Sequence, residues 1–334
     1  MGVTIRDVAK EAGVSTATVS KVMNNSPSIP DSTAQRIRQV MDKLNYHPNA
    51  RARNFASQST KIIVFAANFR RNLAFENPHI FEMMTGLSRS LSDKGYTLTP
   101  VNVTKGNCAE ILGDLISRKG ADGIVLHVSI ITRELEKKIL AYEFPHIILG
   151  RPEYSSQLCW IDNNNVVSGE IAARHLKEKG YKRLAFLGGS KSDVGSMDRL
   201  QGFKNVFEED GQTVPKERIF YGESTIESGI EGMNKFLSLQ ERPDAIMCAN
   251  NNMALGAYYA LSDRRMKVPD DIALITFDAY PYTKITRPRT TTVDIDVYEM
   301  GRLAGELISK KIKKPQMSIQ SVTTFANLIK NASV

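Results

Sequence analysis

The stretch whose reading decides the fold is Ser15-Thr16-Ala17-Thr18-Val19-Ser20-Lys21-Val22-Met23, within the segment from Thr4 to Ser57. Val19, Val22 and Met23 recur at i, i+3 and i+4, so they share one face of a short helix, while Thr16, Ala17, Ser20 and Lys21 lie on the other. The apolar face calls for a partner. The opposite face is small, polar and ends in a cation, which fits a DNA groove better than a protein core.

Working outward, partners lie on both sides. Thr4 and Asp7 make a capping-box-like pair ahead of Ile5, Val8, Ala9 and Ala12, whose spacing predicts a first helix over about 5–12. Gly13 breaks that helix, Ser15 caps the second, and Asn24-Asn25-Ser26-Pro27 ends it. A third helix starts near Pro30-Asp31 and carries Ile37, Val40, Met41 and Leu44 inward. Three short helices with a tight turn between the first two make a helix-turn-helix pattern. Pro48 stops the third helix. Asn49 to Ser57 then supplies alanines, Arg51, Arg53 and one large apolar residue, Phe55, in a helix too short to persist without a partner. Gln58-Ser59-Thr60 reads as a linker.

The charge is placed to match. Residues 1–60 hold eight Lys/Arg against four acids, so half of the net charge of +8 sits in under a fifth of the 334-residue chain. That asymmetry points to a polyanion partner at this end. The length predicts two or three domains, and 42% apolar residues are enough to build their cores. Cys108, Cys159 and Cys248 are odd in number, far apart and lack CxxC spacing, which argues against a disulfide framework or a zinc site and for reduced thiols in the cytoplasm. No apolar run approaches the roughly 18 residues a membrane span needs. The N-terminus has no apolar signal-peptide stretch, and Arg6 stands where a myristoylation signal requires Ser or Thr. A protein that stays in the cytoplasm is expected.

From Lys61 the pattern changes to alternating strands and helices. Short continuous apolar runs at 62–67, 123–126, 147–149, 184–187, 245–248 and 272–277 read as strands buried on both faces. Helical patterns lie between them near 78–94, 108–119, 133–141, 165–179, 199–210, 226–238, 251–262 and 296–311. This is the grammar of a doubly wound parallel sheet, continued long enough for two lobes. A break near Cys159-Trp160-Ile161-Asp162 divides them, Asp162 reads as an N-cap for the next helix, and the last helix and strands return to the first lobe.

The phrases "VTIRDVAKEAGVSTATVSKVMN" and "LNYHPNARARNFAS" resemble the headpiece and hinge of the lactose/galactose repressor family of bacterial regulators. The resemblance continues through "DGIVL", "HLKEKGYKRLAFLGG", "RLQGF", "ANNNMALGA", "ITFD" and "TTVDIDVYEMGRLA", essentially the whole chain. It implies an all-α helix-turn-helix headpiece (1–47), a hinge helix and linker (48–60), and an α/β core (61–334) like a periplasmic binding protein. The core is expected to comprise an N-lobe of about 61–161 and 292–320 and a C-lobe of about 162–291 and 321–334.

By the same resemblance, Thr16, Ala17 and Lys21 match positions that read base edges in the major groove, and Ser15, Thr18, Ser20 and Asn24 match phosphate contacts. Lysine at 21, where the family often has arginine, donates as a point charge rather than a fork. Arg51 and Arg53 lie near phosphates, and Ala52 and Phe55 match the minor-groove wedge, commonly leucine, that opens the central base step. In the core, Arg199, Asp278 and Asn250 match effector contacts, with a structural salt bridge as the competing reading for the first two. Phe69 and Phe75 stand where a sugar face could stack, though lobe packing serves a loop aromatic equally well, and Arg70 and Arg71 read as facing water. Asn251 replaces a usual Asp. The implied partners are near-palindromic operator DNA, a small effector expected to be a carbohydrate, and a second copy in a homodimer, because the chain ends at Val334 without a tetramerising helix. No cofactor, metal or membrane is implied.

Other classes fit less well. A transport-type binding protein would need export, which the basic headpiece opposes. For an enzyme, Gly188-Gly189-Ser190-Lys191-Ser192 imitates a phosphate loop but lacks the four-residue spacer, and the five histidines are scattered. A co-effector such as a sugar phosphate, a nucleobase-type molecule or a phosphoprotein that tightens DNA binding stays open beside a releasing one.

Overall fold

A computed structural model describes residues 3–23, 26–46, 59–71, 78–279, 282–318 and 320–334. The chain forms two compact units, Met1–Lys61 and Ile62–Val334.

The first unit contains α1 (Ile5–Glu11), α2 (Thr16–Met23) and α3 (Asp31–Lys43). The Asp7 carboxylate accepts from the Thr4 N–H at 2.8 Å and the Thr4 hydroxyl at 2.7 Å, closing the start of α1. Ser15 Oγ accepts from the Thr18 N–H at 3.1 Å and caps α2. Between them Gly13 sits at φ +63°, a left-handed turn in which a side chain would be strained. The core is small: Val8, Ala9, Ala12, Val19, Val22 and Ile37 are buried together. Lys43 and Glu11 pair at 2.8 Å on the surface, where such a pair adds little.

The second unit begins with β1 (Ile62–Ala67), α4 (His79–Ser92), β2 (Thr97–Asn102), α5 (Cys108–Ser117), β3 (Gly123–His127), α6 (Arg133–Ala141), β4 (His146–Leu149) and β5 (Trp160–Asn163). It continues through α7 (Asn165–Glu178), β6 (Leu184–Gly188), α8 (Val194–Glu208), β7 (Ile219–Tyr221), α9 (Ile226–Leu237), β8 (Ala245–Cys248), α10 (Asn251–Asp263) and β9 (Ala273–Phe277). It closes with β10 (Thr291–Asp294), α11 (Val297–Lys313), β11 (Val322–Thr324) and β12 (Asn327–Ile329). One sheet runs β11-β5-β4-β3-β1-β2, all parallel. The other runs β12-β10-β9-β8-β6-β7, parallel except where β12 meets β10. Each sheet has an apolar cluster on either face, which is why its central strands read as unbroken apolar runs.

The chain passes between the lobes three times. The expected break at 159–162 is instead β5, the last strand of the first crossover series, and the first crossing follows it at Asn164. The second lies between β10, in the second sheet, and α11, which packs on α4 of the first lobe. The third lies between β11 and β12, so these crossings follow Asp294 and Thr324 rather than residues near 291 and 320. Strands of three or four residues are too short to carry a readable period. Helix α8 also starts five residues earlier than its apolar pattern, because Asp193 caps it by accepting from the Ser196 N–H at 3.0 Å.

Candidate functional site

In the first unit α2 buries Val19 and Val22 and leaves Ser15, Thr16, Ala17 and Lys21 exposed, with Thr18 and Ser20 half-buried. The outer face is therefore the small polar one, with Lys21 in its last turn. The Thr18 and Ser15 hydroxyls lie 2.9 Å apart, so each is already oriented by the other. Asn24, Arg51, Ala52, Arg53 and Phe55 fall outside the described residues.

In the second unit the strands of both sheets end at a cleft. Such ends are where doubly wound sheets bind ligands. Arg199, on α8, is buried there. Its Nε donates to Asn165 Oδ1 at 2.9 Å, its Nη1 donates to the Ala249 carbonyl, and its guanidinium lies 4.1 Å from the Phe277 ring centroid. Asp278 follows β9 at φ +68°, a rare conformation for a residue with a side chain. Its N–H donates to the Val293 carbonyl at 3.0 Å and its carbonyl accepts from Asn251 Nδ2 at 2.9 Å. No ion pair joins Arg199 to Asp278; the side chain facing Asp278 is the imidazole of His79, whose Nε2 lies 3.4 Å from Oδ2. Asn250 is the N-cap of α10, its Oδ1 accepting from the Met253 N–H at 3.0 Å.

Beside this cluster a recess of ≈ 180 Å³ is lined by Arg151, Trp160, Asp162, Asn163, Asn165 and Asp198 among others. Arg151, after β4 of the first lobe, pairs with Asp198 on α8 of the second. Asp162 is not an N-cap; that place belongs to Asn164, which accepts from the Val167 N–H at 3.1 Å. Asp162 lies in β5 and accepts from the N–H groups of Asn163 at 2.8 Å and Arg151 at 3.2 Å. Burial raises its carboxyl above the ordinary range, against those two hydrogen bonds and the charges of Arg199 and Arg151.

Phe69 packs edge-on against Phe65 at 6.0 Å and joins the first lobe's core. Phe75 lies outside the described residues, and Arg70 and Arg71 are exposed. In the glycine pair that imitates a phosphate loop the Gly189 N–H donates to Ser196 Oγ at 2.8 Å, and the Asp193 carboxylate occupies the helix start. All three cysteines are free thiols. His79, Arg151, Asp198 and Asn165 escaped the sequence reading. The run Asp162-Asn163-Asn164-Asn165, polar at a strand-to-helix turn, was the one local signal that could have pointed here.

A basic helix-turn-helix unit joined to a two-lobed ligand-binding core defines a ligand-controlled DNA-binding regulator. Residues 4–49 match the family model described as bacterial regulatory proteins, lacI family, and residues 173–334 match the periplasmic binding protein-like domain. The HTH-type transcriptional repressor PurR of Histophilus somni (strain 2336) is 30% identical over 334 residues, covering 99% of this chain and 98% of the relative. Among solved structures, the lac repressor dimer bound to operator and the anti-inducer ONPF aligns with a TM-score of 0.83 at 21% identity, covering 100% of this chain and 99% of that one. The transcriptional regulator CelR in complex with cellobiose aligns with a TM-score of 0.75 at 25% identity, covering 99% of this chain and 100% of that one. The chain belongs to the lacI family of bacterial regulatory proteins. It is a DNA-binding transcriptional repressor under small-molecule control, and its relatives are repressors rather than enzymes.

Proposed function

We infer that this repressor acts as a cytoplasmic homodimer on a near-palindromic operator and is released by a small effector, a carbohydrate, bound between the lobes. The observation that carries the effector site is Asp278. It is a nearly fully buried carboxylate whose Oδ1 has no hydrogen-bond partner among the described residues, and the ring of the preceding Phe277 carries the buried Arg199 guanidinium. A buried acceptor of this kind asks for a ligand donor. The cellobiose complex of a relative with the same fold supports a sugar. Asn250, whose side chain is spent on its own helix, contributes position more than contact, and Phe69 contributes packing.

On the DNA side, Thr16, Ala17 and Lys21 read bases, and Ser15, Thr18 and Ser20 hold phosphates together with Asn24, Arg51 and Arg53, while Ala52 and Phe55 enter the minor groove. The exposure of the first three and the half-burial of Thr18 and Ser20 are consistent with that division. A ligand controls the operator only through its difference in affinity for the two core arrangements. Operator affinity measured with and without a panel of sugars, sugar phosphates and nucleobases tests the reading: a sugar that weakens binding supports it, and tightening by a nucleobase or sugar phosphate replaces it with co-repression. Lys21→Ala should relax base preference at one position, whereas Arg53→Ala should weaken binding on all sequences alike. Equal loss of specificity in both would overturn the division of roles.

A further inference from the structure

Near the first crossing the lobes meet across a gap rather than a packed interface. The recess of ≈ 180 Å³ has one wall from the first sheet, with Trp160 and Asp162 of β5 and Thr323 of β11, and the other from the second lobe, with Asn165 of α7 and Asp198 of α8. Arg151, after β4, spans it by donating from Nη2 to Asp198 Oδ2, a salt bridge between residues 47 apart in sequence and in different lobes. Each end is fixed to its own lobe. The Arg151 N–H donates to Asp162 Oδ2 at 3.2 Å, and Asp198 lies within α8 beside Arg199, whose Nε donates to Asn165 Oδ1 at 2.9 Å. The two side chains are 43% and 27% exposed, so the pair is neither fully screened nor shut away from salt.

We propose that Arg151 and Asp198 form a lock between the lobes: the pair favours the arrangement seen here, and ionic strength tunes how strongly. A pair of this exposure shifts an equilibrium by about two- to fivefold, which is small against the stability of either lobe but not against a balance between two lobe arrangements. An effector that favours the other arrangement must supply the same factor in differential affinity before it moves the population. Salt then acts on this regulator within its core as well as at the phosphates of its DNA. The lock operates whatever the chemistry of the effector, so it stands apart from the carbohydrate reading.

Trp160 is the chain's only tryptophan and lines the recess, so its fluorescence reports on the gap. The test follows its quenching by acrylamide, together with hydrogen–deuterium exchange, in the full-length protein without effector. Both are measured at about 50 mM and about 500 mM potassium chloride, across which the screening length falls from roughly 14 Å to roughly 4 Å. At low salt Asp198→Asn, which removes the charge at nearly constant shape, should speed exchange about two- to fivefold on both sides of the gap, in peptides covering 146–163 and 194–203. Quenching of Trp160 should rise in step. High salt should bring the unaltered chain to the level of the variant, while the variant stays flat. Arg151→Met also takes a cation from beside Asp162, so it serves as the second corner of a cycle: combined with Asp198→Asn it should speed exchange by less than the two effects multiplied. Unchanged exchange in Asp198→Asn, faster exchange confined to α8 with Trp160 unaltered, effects that multiply in full, or no salt dependence in the unaltered chain would each overturn the lock.

Discussion

Arg199 shows how a buried cation is kept tolerable and useful at once. Its donors go to Asn165 Oδ1 and the Ala249 carbonyl and its face to Phe277, so the charge is solvated by the second lobe itself rather than by a carboxylate. Arg199→Met should therefore cost about 2–4 kcal/mol, read from the urea midpoint, because it leaves two acceptors unpaired. The same variant should abolish the effector response. His127 gives a pH dependence. Its folded-state value of about 4 lies below its ordinary 6.5, so the folded core keeps it neutral while the unfolded chain takes up a proton. The associated stability is complete above pH 6.5 and is lost as the pH falls toward 4. We expect a loss of about 2 kcal/mol across that window, reduced from the full shift because the ring is only partly buried, and a flatter profile in His127→Phe.

At the scale of elements, α7 and α8 touch backbone to backbone. A Cβ on Gly202 would lie 1.9 Å from the Val166 carbonyl oxygen, and one on Gly169 would lie 2.2 Å from the carbonyl oxygen of Arg199 itself. Gly202→Ala should cost about 3 kcal/mol in chemical unfolding, and Gly169→Ala should also weaken effector binding by moving Arg199 without touching its side chain. None of these contacts could be read from the glycines alone. The parallel strands were legible because Ile62–Ala67 and Ala245–Cys248 are buried on both faces and so unbroken in hydropathy. Edge strand β2, half exposed, and the three-residue β11 and β12 were not. The site was legible in the same uneven way. Arg199 and Asp278 came from motif-like phrases, but the facing of His79 to Asp278 and of Arg151 to Asp198 joins segments remote in sequence, and only the fold brings them together.

For the whole molecule, the two units differ sharply in how much core they own. Among the described residues the first rests on six small or medium buried side chains, a core that leaves a domain of this size only a few kcal/mol. Ile37→Ala, at its fully buried centre, should remove about 3 kcal/mol and shift a separate low-temperature transition in calorimetry, leaving the transition of residues 62–334 in place. The second unit is tied differently, through three passages of the chain between its lobes. Neither lobe is therefore a contiguous cassette. A recombination event with one breakpoint near Asn164 would graft a new second lobe together with a foreign α11 and β11, the pieces that complete the first. Exchange of ligand preference between relatives by shuffling thus needs three matched junctions, which leaves point substitution at the cleft as the shorter evolutionary route to a new effector.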